Sequence, residues 1–275
     1  MRGEFLDLSG ARVYYYAAGT RGAGVPVVLI HGFPTSAHLW AELVPLLPAG
    51  HRIVVLDLLG FGRSDPPGPR DVSIAGHASR LVQLFDVLGI ARACLVGHDL
   101  GGGIAQAVAV RFPSRVSHLA LVDSVGFDSW PASRLRLARN LTPVTRHLPA
   151  SILLLELRNA LIGGYSDRDR GGRSLEMYLR PFASEDGRQA LVRHLRALDS
   201  SETSTLAEHL GGMQVPTSVI WGQRDPLLPA ALGARLHGAL AGSEALSITG
   251  GRHFTPEEAP GPLADAIAAL LHRGG

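Results

Sequence analysis

Three residues stand in patterns that suit acid–base and nucleophilic chemistry. Asp99 lies in Val96-Gly97-His98-Asp99-Leu100-Gly101, between an apolar run from Ala93 and a small-residue stretch, 103–110, with helical spacing. A strand that reverses sharply into a helix needs glycines beside its tip, because the tip residue is strained with its side chain forced outward. This is the nucleophile-elbow pattern, with aspartate where serine is usual. The same residues also fit a plain strand-to-helix turn capped by an aspartate. Asp225, in Trp221-Gly222-Gln223-Arg224-Asp225-Pro226, and His253, in Gly251-Arg252-His253-Phe254-Thr255-Pro256-Glu257-Glu258, complete the set. Asp225 before a proline also suits a turn. Asp123 is its rival as the acid.

The elements that must position these groups alternate. Val25–Ile30, Arg52–Leu56, Ala93–Val96, His118–Val122, Thr217–Trp221 and Ala245–Ile248 read as strands. Most are continuously apolar, as expected for burial on both faces. Residues 4–8 and 11–17 alternate like two further strands. Tyr14, Tyr15 and Tyr16 are consecutive there, so they face opposite sides of a sheet and cannot form one aromatic cage. Helices are predicted over Ala37–Leu47 (with Pro45 near its end), Ser73–Leu88, 103–112, Ala230–Leu240 and Pro262–His272. Such alternation implies α/β architecture, with a mostly parallel twisted sheet and helices on both faces. Ligands bind such sheets at the carboxyl ends of the strands, where Asp99, Asp225 and His253 all fall.

Between 127 and 212 the strand signal stops. Arg134–Leu141, Ala150–Leu161, Arg173–Phe182 and Arg188–Leu198 carry helical spacing instead. The chain therefore divides into a core, 1–126 and 213–275, and an inserted helical cap, 127–212.

Composition narrows the classes. At 275 residues, 46 % hydrophobic and 18 % charged, the chain can bury a large core. No apolar run reaches the roughly 18 residues of a membrane span, and the N-terminus lacks a signal-peptide pattern. Cys94 is the only cysteine, so no disulfide forms within the chain and a reducing cytoplasm is the default. All 26 basic residues are arginine, scattered among 24 acids for a net charge of +2. The cluster Arg134, Arg136 and Arg139 has no aromatic companions, which reads as a solvated face rather than a nucleic-acid site. No Cys/His spacing suggests a metal, and no cofactor motif is present.

Along residues 5–272 the sequence resembles an α/β-hydrolase. The order Asp99, Asp225, His253 is that family's nucleophile, acid and histidine order. His31-Gly32-Phe33-Pro34 matches its oxyanion loop, and Gly60-Phe61-Gly62-Arg63-Ser64 its Gly-x-Gly-x-Ser loop. The resemblance implies α/β-hydrolase architecture with the cap placed as above. An aspartate at the elbow is similar to haloalkane dehalogenases and epoxide hydrolases rather than to esterases. It implies Asp99 as nucleophile, His253 as general base and Asp225 as the acid orienting it. Some dehalogenase-like members carry that acid on the preceding strand, which is why Asp123 competes. The backbone N–H groups of Phe33 and Leu100 would form the oxyanion hole.

The chemistry of an attacking carboxylate narrows the substrate. Attack on an sp3 carbon displaces halide or opens an epoxide, leaving an ester on the protein. Water activated by His253 then attacks the ester carbonyl. Attack on a carboxylic ester would give only an anhydride. A departing halide needs N–H donors, which haloalkane dehalogenases take from a Trp after the nucleophile; here that position is Leu100. Phe33 likewise stands where an Asn donor is common. Epoxide opening instead needs a proton donor, and epoxide hydrolases use cap tyrosines. Tyr165 and Tyr178 are the candidates, with cap His194 or His147 as substitutes. Phe33, His98 and Trp130 are the expected substrate contacts, and His31 is expected to orient its loop. The sequence thus predicts a hydrolase opening an epoxide of a hydrophobic small molecule, with water as co-substrate. Halide release is the runner-up, and a non-hydrolytic or binding role in a biosynthetic pathway comes third.

Overall fold

The computed structural model describes residues 3–20, 22, 24–128, 130–131, 133–142 and 148–273. Eight strands form one sheet: β1 (Glu4–Asp7), β2 (Arg12–Gly19), β3 (Val27–Ile30), β4 (Arg52–Leu56), β5 (Ala93–Asp99), β6 (Val116–Ser124), β7 (Thr217–Gly222) and β8 (Glu244–Ile248). Their order is β1-β2-β4-β3-β5-β6-β7-β8. The pairings β1–β2 and β2–β4 are antiparallel, and all the others are parallel. The strands that read as continuously apolar are the central ones. All four residues of β3 and all nine of β6 are buried. Each such aliphatic side chain contributes about 1.5–3 kcal/mol by leaving water.

Helices α1 (Ile74–Leu88), α2 (Leu100–Arg111), α8 (Ala230–Ala239), α9 (Thr255–Glu258) and α10 (Pro260–Leu271) belong to the alternating part of the chain. Ser73 caps α1 by accepting from the Gly76 N–H. Between β6 and β7 come α3 (Ser133–Asn140), α4 (Ala150–Leu161), α5 (Arg168–Leu179), α6 (Glu185–Ala197) and α7 (Ser201–Ala207). Among the described residues, no helix is long and apolar enough to cross a membrane.

Three local expectations are corrected. Ala37–Leu47 is not one helix but two short 3-10 turns, Ala37–Trp40 and Val44–Leu46. Pro45 has no N–H to continue an α-helix. Helix α2 begins at Leu100 rather than at 103, since β5 runs directly into it through Asp99. Helix α7 has no counterpart among the predicted helices; its Ser/Thr-rich sequence masks it. Of the arginine cluster, Arg139 pairs with Asp199 at 3.2 Å, and Arg136 donates to the Pro131 carbonyl at 3.3 Å.

Candidate active site

The elbow is built as its glycines require. Asp99 has φ +51°, in the region costly for a residue with a Cβ. Helix α2 then returns so close to the sheet that a Cβ on Gly101 would lie 2.1 Å from the Ile30 carbonyl oxygen, and one on Gly97 2.4 Å from that of Gly101. Only glycine fits at both places, and the packing holds Asp99 at the carboxyl end of β5.

Asp225 and His253 arrive from the neighbouring strand ends. His253 Nδ1 donates to Asp225 Oδ2 at 2.8 Å, while Asp225 Oδ1 accepts from the Leu227 and Leu228 N–H groups at 2.7 and 3.0 Å. The acid is thus fixed by its own turn and fixes the imidazole tautomer. Nε2 is the nitrogen left for chemistry. Burial pulls the His253 pKa down, but the Asp225 carboxylate, by its charge and its hydrogen bond, with the Asp99 carboxylate behind it, outweighs burial and raises it to about 9. Burial pushes the Asp99 pKa up, opposed by His253 and by the N–H groups of Leu100 and Phe33.

Those two N–H groups are the expected oxyanion pair. Phe33 N–H donates to Asp99 Oδ2 at 2.8 Å, and the Leu100 N–H also bonds the carboxyl. His31 holds the loop in place. Its Nε2 accepts from the Leu58 N–H at 2.9 Å, its Nδ1 meets the Gly32 carbonyl at 2.9 Å, and burial lowers its pKa to about 4. A neutral imidazole used at both nitrogens orients the loop and cannot serve as a base.

Asp123 does not bond His253. Its Oδ1 accepts from the Gly222 N–H at 2.7 Å, bracing β6 to β7. Burial, and then the Asp225 carboxylate, raise its pKa well above the ordinary range.

The cavity at Asp99 is lined by Phe33, Leu100, Val125, Trp130, Pro131, Leu135, Leu161, Leu198, Leu227, Leu228 and His253. Its volume is about 30 Å³. Phe33 and Trp130 therefore stand where substrate contacts were expected. His98 does not: it is buried, and its Nε2 donates to the His253 carbonyl at 2.8 Å. Trp130 cannot offer its indole N–H freely, because it donates to Thr203 Oγ1 at 2.6 Å.

The structure does not bring Tyr165 and Tyr178, the expected proton donors, into the lining of the Asp99 cavity. Both hydroxyls are committed to Glu257, Tyr165 at 3.2 Å and Tyr178 closer still, and neither ring lines the Asp99 cavity. His194 is buried against Phe61, with ring centroids 4.1 Å apart, and its pKa falls to about 3. His147 lies outside the described residues. The sequence reading missed Glu257 itself. The available signal was an acid four residues beyond His253, and two cap phenols that each need a buried partner. Among the described residues, no cluster of three His, Cys, Asp or Glu side chains could hold a metal.

Comparison with known proteins identifies the fold. Residues 25–260 match the family model for the alpha/beta hydrolase fold. The chain belongs to the α/β-hydrolase family. It is 28 % identical over 274 residues to the uncharacterized hydrolase YugF of Bacillus subtilis, covering 97 % of this chain and 96 % of that one. It is also 28 % identical over 296 residues to haloalkane dehalogenase 2 of Mycobacterium tuberculosis, covering 99 % and 94 %. The crystal structure of an alpha/beta hydrolase fold protein from Burkholderia ambifaria superimposes with a TM-score of 0.84 at 26 % identity, covering 98 % of this chain and all of that one.

Proposed function

We propose that this hydrolase works through a covalent ester on Asp99 and opens the epoxide of an apolar small molecule to a vicinal diol. The observation that carries the reading is the lining of the Asp99 cavity. Among the described side chains there, His253 is the one with a proton to give, since the Trp130 N–H is used on Thr203. Residues 127–212 act as the cap over a core of 1–126 and 213–275.

The resting pair is an Asp99 carboxylate and a His253 imidazolium, consistent with the raised pKa of about 9. Asp99 attacks a ring carbon, the C–O bond breaks, and Nε2–H protonates the departing alkoxide. Neutral His253 then takes a proton from water as it adds to the ester carbonyl carbon. The oxyanion is held by the N–H groups of Phe33 and Leu100. Collapse releases the diol, whose oxygen takes the proton from His253. The Asp99 carboxyl then returns its proton to His253 and restores the pair. Asp225 accepts the Nδ1–H throughout.

Halide release is the second reading, favoured by the likeness to haloalkane dehalogenase 2. Among the described residues that line the cavity, the only side-chain N–H left for a departing halide is that of His253. Single turnover in heavy-oxygen water, followed by peptide mass analysis, tests the shared step: label belongs in the Asp99 carboxylate. Label confined to the product rules out the ester. Diol from epoxides, against halide from haloalkanes, separates the two readings.

A further inference from the structure

The loop that carries His253 is fastened to the cap by contacts that the proposed reaction does not use. Glu257 is 5 % exposed. Its Oε1 accepts from the hydroxyls of Tyr178 and Tyr165. Its Oε2 accepts from the Ser174 hydroxyl at 2.7 Å, with the Arg170 guanidinium 3.9 Å away. The Glu257 N–H bonds back to the Phe254 carbonyl at 3.0 Å.

The same stretch of cap grips the histidine directly. The Gly164 carbonyl accepts from the His253 N–H at 3.0 Å, and the Arg252 guanidinium donates to the Gly163 carbonyl at 2.7 Å. The Tyr165 ring stacks on Phe254, with centroids 4.0 Å apart and planes 14° apart. Glu258 accepts from the Ser166 N–H at 2.8 Å and from the Asp167 N–H at 3.2 Å. Burying a carboxylate is unfavourable unless its lone pairs are filled, and an apolar residue would fit such a seam at less cost. Here three hydroxyls converge on one acid, from two different turns of the cap.

We propose that Glu257 is a positioning residue: by tying Tyr165, Tyr178 and Ser174 to the His253 loop, it sets where the His253 imidazole stands in the Asp99 cavity. The two cap phenols then act through Glu257 and not as proton donors. This rests on His253 being the acid and base of the reaction.

The test needs a readout of His253 that requires no substrate. The low-field proton resonance of His253 Nδ1–H, bonded to Asp225, provides one. It is assigned by its loss in Asp225→Ala, because Asp99, Asp123 and His98 also face the ring. In Glu257→Leu the resonance should shift or broaden, and kcat should fall by on the order of 100-fold with KM little changed, as for a small misplacement of a reacting group. Glu257→Gln, whose amide oxygen still accepts from the phenols, should keep the resonance and most of the turnover. A folded Leu variant with the parent resonance and parent kcat overturns the proposal. If that variant does not fold, the double variant Tyr165→Phe, Tyr178→Phe decides. It keeps the carboxylate, so an altered resonance supports the coupling and an unaltered one refutes it. A parent that opens no epoxide, while the variants still move the resonance, removes the proposed substrate and leaves the coupling standing.

Discussion

His98 Nε2 donates to the backbone carbonyl of His253 at 2.8 Å, so the residue just before the elbow aspartate supports the histidine that faces it. The acceptor is a carbonyl, which places the ring proton on Nε2. Burial, and then the charge of His253, keep the His98 ring neutral by lowering its pKa well below the usual histidine range. Replacing His98 with Leu would leave that buried carbonyl unpaired, at a cost of about 1–3 kcal/mol. The midpoint of urea unfolding should drop accordingly, with His98→Gln intermediate. An unchanged midpoint in the Leu variant would show that the bond contributes nothing.

The raised His253 pKa predicts two pH responses. Its folded value of about 9 exceeds the ordinary 6.5, so its contribution to stability is complete below about pH 6.5 and is lost as pH rises through about 9. Urea midpoints measured across this window should fall in the parent and fall less in His253→Gln. In the proposed ester, the Asp99 charge that helps hold the proton would be gone. Ester formation should therefore slow above about pH 9, while hydrolysis of the preformed ester keeps its rate to higher pH. Rapid-quench measurement of the two steps checks this, and parallel profiles would contradict it. The same His253→Gln variant lacks the acid of the first step, so the Asp99 ester should form far more slowly than in the parent, which time-resolved intact mass checks.

Asp225 and Asp123 should separate cleanly. Asp225→Asn removes the charge that orients and holds the imidazolium, and kcat should fall by on the order of 10³–10⁴. Asp123, pushed toward its neutral form by burial, loses little when replaced by Asn, and kcat should stay within a few-fold. Steady-state kinetics of the two variants decides between them. The opposite ranking would give the acid's role to Asp123.

Trp130→Phe distinguishes the two leaving groups. The indole N–H bonds Thr203, so its loss should cost about 1 kcal/mol in stability and leave epoxide turnover within a few-fold. A hundredfold loss in that variant would mean that the indole serves the leaving group after all.

The sheet was legible because its strands sit in two different solvents. Apolar runs such as Val27–Ile30 are buried on both faces, and their ends coincide with turns rich in glycine and proline. Asp99, Asp225 and His253 were legible as candidates for the same reason: each follows one of those runs. The segment between β6 and β7 was readable as helices but not as a surface. Helical spacing tells which face of α5 is apolar, not which neighbour receives Tyr178. Its partner Glu257 lies 79 positions away in a different part of the fold. His98 shows the same limit. Its neighbours in sequence suggest a wall of the substrate cavity, and only packing against His253 reveals a support.

The cavity over Asp99, about 30 Å³, has room for little more than one water molecule. Under the proposed mechanism, an organic substrate and the hydrolytic water would occupy nearly the same space at different times. The newly made alcohol arm would have to swing aside before water reached the carbonyl carbon of Asp99. Volume alone would then impose an order on the two steps. The lifetime of such an ester would report how readily the walls at Leu135, Leu161 and Leu198 give way, and a more viscous solvent should lengthen it.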